Sequence, residues 1–405
     1  MQTHLSEHAR GLPRAEEAER ILRSCVHCGF CNATCPTYQL LGDELDGPRG
    51  RIYQIKQVLE GEPATAQVQQ HLDRCLSCRN CETTCPSGVQ YHNLLDIGRA
   101  EVDRQVPRPA GQRWLRLGLR QLAAHPAAFR AALALGQTLR PLVPAALQAK
   151  LPANALPALA RPTRQHPRRV LMLEGCVQPG LAPGTNAAAA RVLDRLGISV
   201  VAASAGCCGA IDYHLDHQAQ GLARARHNID AWWPALQAGA EAIVQTASGC
   251  GAFIQDYAHL LRDDPAYAAK AQVVSERALD LAQVLAREPL GALTLSEAPR
   301  LAFHSPCTLQ HALRQGGQTE ALLRRLGFHL TGVADAHLCC GSAGTYSLTQ
   351  PALARQLRDQ KLAALESGQP ALIATANIGC QSHLNSAGRT PVLHWVEVLE
   401  RALMG

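Results

Sequence analysis

Aromatic residues make up only 4% of this 405-residue chain. Its cores must therefore be filled mainly by Ala, Leu and Val, which supply most of a 47% hydrophobic share. No uninterrupted apolar run reaches the roughly 18 residues that would suggest a membrane span. The opening stretch, MQTHLSEHARGLPRAEEAER, is polar and mixed in charge and lacks the apolar centre of an export signal. There is no block of like charge, and a net charge of +6 falls short of a nucleic-acid signature, so no nucleic-acid partner is expected. Also missing are Gly-x-Gly-x-x-Gly after a strand, a Walker loop and a Gly-x-Ser-x-Gly elbow. The chain therefore shows no dinucleotide site, no phosphate loop and no serine nucleophile.

Cysteine, by contrast, is abundant: there are 16. Without an export signal the expected compartment is the cytoplasm, where thiols stay reduced and metal or cluster ligation explains them better than disulfides. Eight of them fall in two matched runs, CVHCGFCNATCP at 25–36 and CLSCRNCETTCP at 75–86. Cys-x2-Cys-x2-Cys-x3-Cys-Pro is the spacing of four-iron clusters. Three cysteines at intervals of three wrap one cube, and the fourth, before proline, points away to a neighbouring cube. This pairs Cys25, Cys28, Cys31 and Cys85 on one [4Fe–4S] cluster, and Cys75, Cys78, Cys81 and Cys35 on the other. Zinc is the competing reading, but four cysteines plus proline, twice over, favour clusters. Arg49, Arg51 and Arg79 stand near these runs, either as cations that tune anionic clusters or as ordinary solvated side chains.

The other eight cysteines expose an internal repeat. Cys176, Cys207, Cys208 and Cys250 are matched by Cys307, Cys339, Cys340 and Cys380, 130 to 132 positions later. GCCG at 206–209 answers LCCG at 338–341, and RLG at 195–197 answers RLG at 325–327. Within the first copy, apolar runs at 170–173, 198–202 and 242–245 read as strands and 186–196 and 222–235 as helices. Strand–helix alternation implies a parallel sheet, and each cysteine falls in a loop after a strand, where such sheets gather their ligands. The fold class expected is an α+β and α/β multidomain chain. A mostly helical two-cluster domain spans 1–105, a Pro/Arg-rich helical linker 106–168, and the two cysteine-rich units 169–295 and 296–405. In the first hundred residues, helices are expected at 15–23, 52–59 and 68–74, with a turn at 47–51. In the linker, 114–122 and 127–139 read as short amphipathic helices, more simply laid over the next domain than serving as docking or membrane-surface helices.

The CCG halves resemble the cysteine-rich domains of heterodisulfide reductase and of iron–sulfur subunits of flavin dehydrogenases. ILRSCVHCGFCNATCPTYQLLGDELDGPRGRIYQIKQVLEG and HLDRCLSCRNCETTCPSGVQY are more specific, and resemble the iron–sulfur subunit of bacterial glycolate oxidase over essentially the whole chain. The resemblance implies FAD-binding partner subunits that oxidise glycolate to glyoxylate. This chain would be the electron-transfer member, not catalytic alone. It would sit in the cytoplasm or peripherally on the inner membrane, with quinone as an acceptor. The iron–sulfur subunits of anaerobic glycerol-3-phosphate or lactate dehydrogenase, and a heterodisulfide-reductase-like enzyme, are the alternatives. One departure matters. The fuller cysteine-rich pattern ends in Cys-x2-Cys, whereas Phe253 and His383 stand three positions after Cys250 and Cys380. A further cluster, a zinc ion and reduced core thiols all stay open for Cys176, Cys207, Cys208, Cys250, Cys307, Cys339, Cys340 and Cys380, with His383 a candidate extra ligand.

Overall fold

Ala15, Ala18 and Leu22, with Ile21 beside them, recur at helical spacing and bury one face of the helix Ala15–Ser24. The computed structural model describes residues 1–142, 148 and 160–403, so the linker prolines at 144, 152 and 157 lie outside the described residues. The buried face meets Ile55, Val58 and Leu59 of the helix Pro48–Glu60, Leu72 of Ala66–Asp73, and Leu94, Leu95 and Val102 of Tyr91–Gln105. These form the core of one compact unit, Met1–Arg116 with His337–Lys361. Two of its helices approach closely at Gly98, where a Cβ would lie 2.6 Å from Ile55 Cγ1. The turn expected at 47–51 is instead the first turn of Pro48–Glu60. Proline at the first helical position loses no hydrogen bond and presets φ, so it starts the helix here.

The second unit comprises Leu117–Ala336 and Leu362–Gly405. It holds two parallel sheets. The first contains β1 (Arg168–Met172), β2 (Ile198–Val201), β3 (Ile243–Gln245) and β4 (Ala278–Asp280), in the order β2-β1-β3-β4. The second contains β5 (Leu301–His304), β6 (Leu372–Thr375) and β7 (Val392–His394), in the order β5-β6-β7. The parallel sheets and alternating helices expected from the sequence are present, with Gly184–Arg195 and Gln218–Gln237 as the crossover helices of the first copy. The internal repeat shows in the register. β1 pairs with β2, whereas β5 keeps only a single bridge, Leu301 to Leu330, where its partner strand would be.

The two sheets share one core. Val170, Leu193 and Val244 from the first copy pack with Phe303, Leu323, Trp395 and Leu399 from the second. Polar links reinforce it. His394 Nε2 donates to Thr246 O at 2.7 Å, Ser248 N to Ala376 O at 3.1 Å, and Arg191 pairs with Glu400 at 2.6 Å. The linker helices run Ala110–Ala123 and Pro126–Thr138. The latter lies over the turn Gln178–Leu181, where a Cβ on Gly180 would come within 2.9 Å of Phe129 Cε1. Among the described residues, no helix is long and apolar enough to cross a membrane.

Candidate metal centre

The two matched runs fold alike. In each, the second and fourth residues after the first cysteine adopt left-handed backbone: His27 (φ 60°) and Gly29 (φ 87°), then Ser77 (φ 51°) and Arg79 (φ 59°). Three of these are not glycine, so the reversals cost energy and the surroundings must hold them. Each loop then enters one short helical segment, Phe30–Ala33 or Asn80–Thr84, which carries the third cysteine and ends just before the fourth. The two segments are tied together. Asn80 Nδ2 donates to Thr34 O at 3.0 Å, and the Thr84 hydroxyl to Thr34 Oγ1 at 3.1 Å. Asn80 Nδ2 also donates to His337 O at 3.2 Å. Arg99, on the helix Tyr91–Gln105, pins the start of the second loop by donating to Leu72 O (2.7 Å), Cys75 O (2.9 Å) and Ser77 Oγ (3.2 Å).

Two cavities result. One is lined by Cys25, Cys28, Cys31, Cys81 and Cys85, with Arg49 on its wall. The other is lined by Cys35, Cys75, Cys78 and Cys81, with Arg51, Arg79, Thr37 and Tyr91. The folded chain thus brings three cysteines of one run to the fourth of the other, twice. Burial pushes the Cys31 thiol up to about 12 and raises Cys25 and Cys81 as well. Such pockets hold protonated thiols unless bound cations favour the thiolates. A single tetrahedral zinc with Zn–S bonds of about 2.3 Å draws its sulfurs to about 3.8 Å of one another. Among the described residues, no three of these eight thiols lie within 4.8 Å of each other. The donor set and its spread fit a cluster of several irons better than one ion.

In the second unit, Cys176, Cys207, Cys208 and Cys250 come together after the ends of their strands in a chain of thiol contacts. Hydrogen bonds from Cys176 and Cys208 push Cys207 down, so it loses its proton first. Asn228 shapes this loop, accepting from Gly206 N and donating to Cys207 O, both at 2.9 Å. The Tyr257 hydroxyl donates to Cys208 O at 2.5 Å. Phe253, at the position where the fuller pattern has its last cysteine, packs between Tyr213 and Tyr257 instead. Of the matching set, Cys307 and Cys380 belong to the second unit, whereas Cys339 and Cys340 belong to the first. His383 is buried, on the helix Ile378–Asn385. Sequence reasoning missed Arg99, Asn228 and Tyr257, which carry no local signal. Thr34 and Thr84 had one: each immediately precedes the fourth cysteine of its run.

Paired cysteine cavities in one unit and a duplicated α/β fold rich in thiols in the other define the class: an iron–sulfur electron-transfer protein. Residues 21–89 match the 4Fe-4S dicluster domain, and residues 170–255 and 301–385 match the cysteine-rich domain. The chain is 66% identical over 404 residues to the glycolate oxidase iron-sulfur subunit of Escherichia coli (strain K12), covering 100% of this chain and 99% of that protein. It is 31% identical to the probable glycolate oxidase iron-sulfur subunit of Bacillus subtilis (strain 168), covering 91% and 88%. Lactate utilization protein A of Bacillus velezensis is 28% identical, covering 57% of this chain and 98% of that protein. A crystal structure of a hypothetical protein from Helicobacter pylori shares the fold, with a TM-score of 0.54 at 9% identity, covering 98% of this chain and 74% of that one. The chain belongs to the family of glycolate oxidase iron–sulfur subunits.

Proposed function

We propose that Cys25, Cys28, Cys31 and Cys85 hold one [4Fe–4S] cluster and Cys75, Cys78, Cys81 and Cys35 the other. This chain then conducts electrons out of an FAD-bearing subunit that oxidises glycolate to glyoxylate. The observation that carries the reading is the make-up of the two cavities: Cys85 joins Cys25, Cys28 and Cys31 at one, Cys35 joins Cys75, Cys78 and Cys81 at the other, and Cys81 alone of these cysteines lines both. Oxidising a 2-hydroxy acid releases two electrons and two protons, and the first acceptor must take a hydride. An iron–sulfur cluster supplies one-electron storage only, and no hydride acceptor is legible in this chain. The chemistry therefore belongs to a partner and the conduction to this subunit. Its own residues bind the cubes, set their distance and exclude water. The acceptor beyond is a quinone at the cytoplasmic face of the inner membrane, to which a net charge of +6 is suited. Cys176, Cys207, Cys208 and Cys250 form a further metal or cluster site. Lactate is the second candidate substrate, favoured by the similarity to lactate utilization protein A.

The test is a pair of ligand exchanges in anoxically purified protein. Cys85→Ser removes the cluster that Cys28→Ser removes, and Cys35→Ser the one that Cys78→Ser removes, read by iron and sulfide content and by EPR after dithionite. If Cys85→Ser instead behaves like Cys78→Ser, each run serves its own cluster and the crossed assignment fails. In the assembled complex, any of the four exchanges abolishes glycolate-dependent reduction of the terminal acceptor. Flavin reduction by glycolate persists.

A further inference from the structure

Three arginines border the cysteine runs, and their surroundings differ. Arg49, on the first cavity's wall, places Nε 2.6 Å from Glu44 Oε1, and both side chains are more than a third exposed. Arg79 is half-buried on the second cavity's wall. Arg51 is 1% exposed, on that same wall. It is locked by three hydrogen bonds: Nε donates to His71 O at 2.7 Å, Nη1 to Thr37 Oγ1 at 3.1 Å, and Nη2 to Asp46 Oδ1 at 3.3 Å. It cannot swing toward solvent, and no water screens it.

Asp46 does not cancel this charge. It is fully buried, and its other oxygen, Oδ2, pairs with Arg74 Nη1 at 2.8 Å. His71 Nδ1 also stands 3.0 Å from Oδ1. One carboxylate is shared by two guanidiniums, the buried Arg51 and the partly exposed Arg74, which leaves a net positive charge beside the second cavity. The Thr37 hydroxyl links that charge to a sulfur: it accepts from Arg51, donates to Asp46 O at 2.9 Å, and lies 3.3 Å from Cys35 Sγ.

We infer that Arg51 is a positioning residue that raises the reduction potential of the cluster in the second cavity and leaves that of the first unmoved. The inference rests on the cluster assignment proposed above. Accepting an electron adds one negative charge to a cluster. A cation fixed nearby in a low-dielectric interior stabilises that reduced form more than the oxidised one. The influence fades with distance and with solvent access, which confines it to the cavity Arg51 lines. Arg49, neutralised by an exposed partner, has no comparable hold on the first.

The test is an EPR-monitored redox titration of the full-length, cluster-loaded chain under anoxic conditions, after iron and sulfide are counted. The transition that Cys78→Ser abolishes marks the second cavity. Arg51→Gln is expected to move that transition to lower potential and leave the other in place. Thr37→Val is expected to shift the same transition in the same direction by less, and Arg49→Gln not to shift it. An Arg51→Gln protein with full iron content and both midpoints unchanged overturns the inference, as does an equal shift of both. If Arg51→Gln does not take up its clusters, Thr37→Val decides, and an unmoved midpoint there overturns it. A wild-type chain without eight irons and matching sulfide fails the cluster assignment instead, so the two failures are told apart.

Discussion

Two buried ionisable groups in the second unit pull stability in opposite directions with pH, and removing one should expose the other. Burial pushes the Asp280 carboxyl up from 3.8 to about 7, against the hydrogen bond it accepts from Ala282 N at 2.9 Å. Burial pushes His394 down from 6.5 to about 4, against the hydrogen bond it donates to Thr246 O. Asp280 keeps its proton in the folded chain but loses it on unfolding. Its contribution is therefore full below the unfolded value and is lost as pH rises through the folded one. His394 stays neutral when folded but takes a proton when unfolded, so its contribution is lost as pH falls from 6.5 toward 4. Each slope is about 1.4 kcal/mol per pH unit, and between them they nearly cancel. Asp280→Asn keeps the oxygen that caps the helix Leu281–Ala286 and removes one slope. The variant's stability relative to wild type should rise by about 3 kcal/mol between about pH 5 and pH 7. Anoxic guanidinium unfolding followed by tryptophan fluorescence reads this, because Trp232 and Trp395 are both buried in this unit. Taking the difference between two chains cancels every group they share. A difference that stays flat over this range would mean that Asp280 is ionised in the folded protein, and the burial argument would be wrong. His394→Gln should give a difference of the opposite slope.

Two further outcomes follow from packing and exposure. Gly98→Val puts new atoms into the 2.6 Å gap to Ile55 Cγ1 and should cost about 1–3 kcal/mol, seen as a lower denaturation midpoint. Gly98→Ala with Ile55→Val should recover part of that loss. Cys28 is the exposed thiol among the eight in the two runs. Brief air exposure of loaded protein should therefore first erase the EPR signal that Cys85→Ser also removes, and earlier loss of the other signal would contradict the exposure argument.

The cluster domain was legible because its information is local. A fixed interval of three residues turns a loop around one centre, and a proline marks where the fourth cysteine leaves it. The same locality placed the helix Ala15–Ser24 and the strands around 170, 198 and 243 close to where they stand. What the sequence hid is set by long-range packing. Arg51 could be named but not weighed, because its neighbours Thr37, Asp46 and His71 are up to 20 positions away and only the fold buries them together. Arg99 and Asn228 hold cysteine loops from 21 to 27 positions away, which no spacing rule reaches. The start of Pro48–Glu60 was misjudged because proline and glycine signal turns and helix starts alike, and only context separates the two.

The duplicated unit shows how one copy can diverge without the fold failing. In the first copy, Asn228 and Tyr257 clamp the backbone of the paired cysteines Cys207 and Cys208. In the second copy the close approach of Gly209 to Gly221 O recurs as Gly341 to Ala354 O, an offset that puts the buried Lys361 where the first copy has Asn228. The second copy's sheet has lost an edge strand, keeping only the bridge at Leu330. That loss is tolerated because the copies do not stand alone. Trp395, Leu399 and Phe303 of the second pack into the same apolar core as Val170, Leu193 and Val244 of the first. A shared core makes stability collective, so the second copy can supply burial even though one edge of its sheet is reduced to a single bridge.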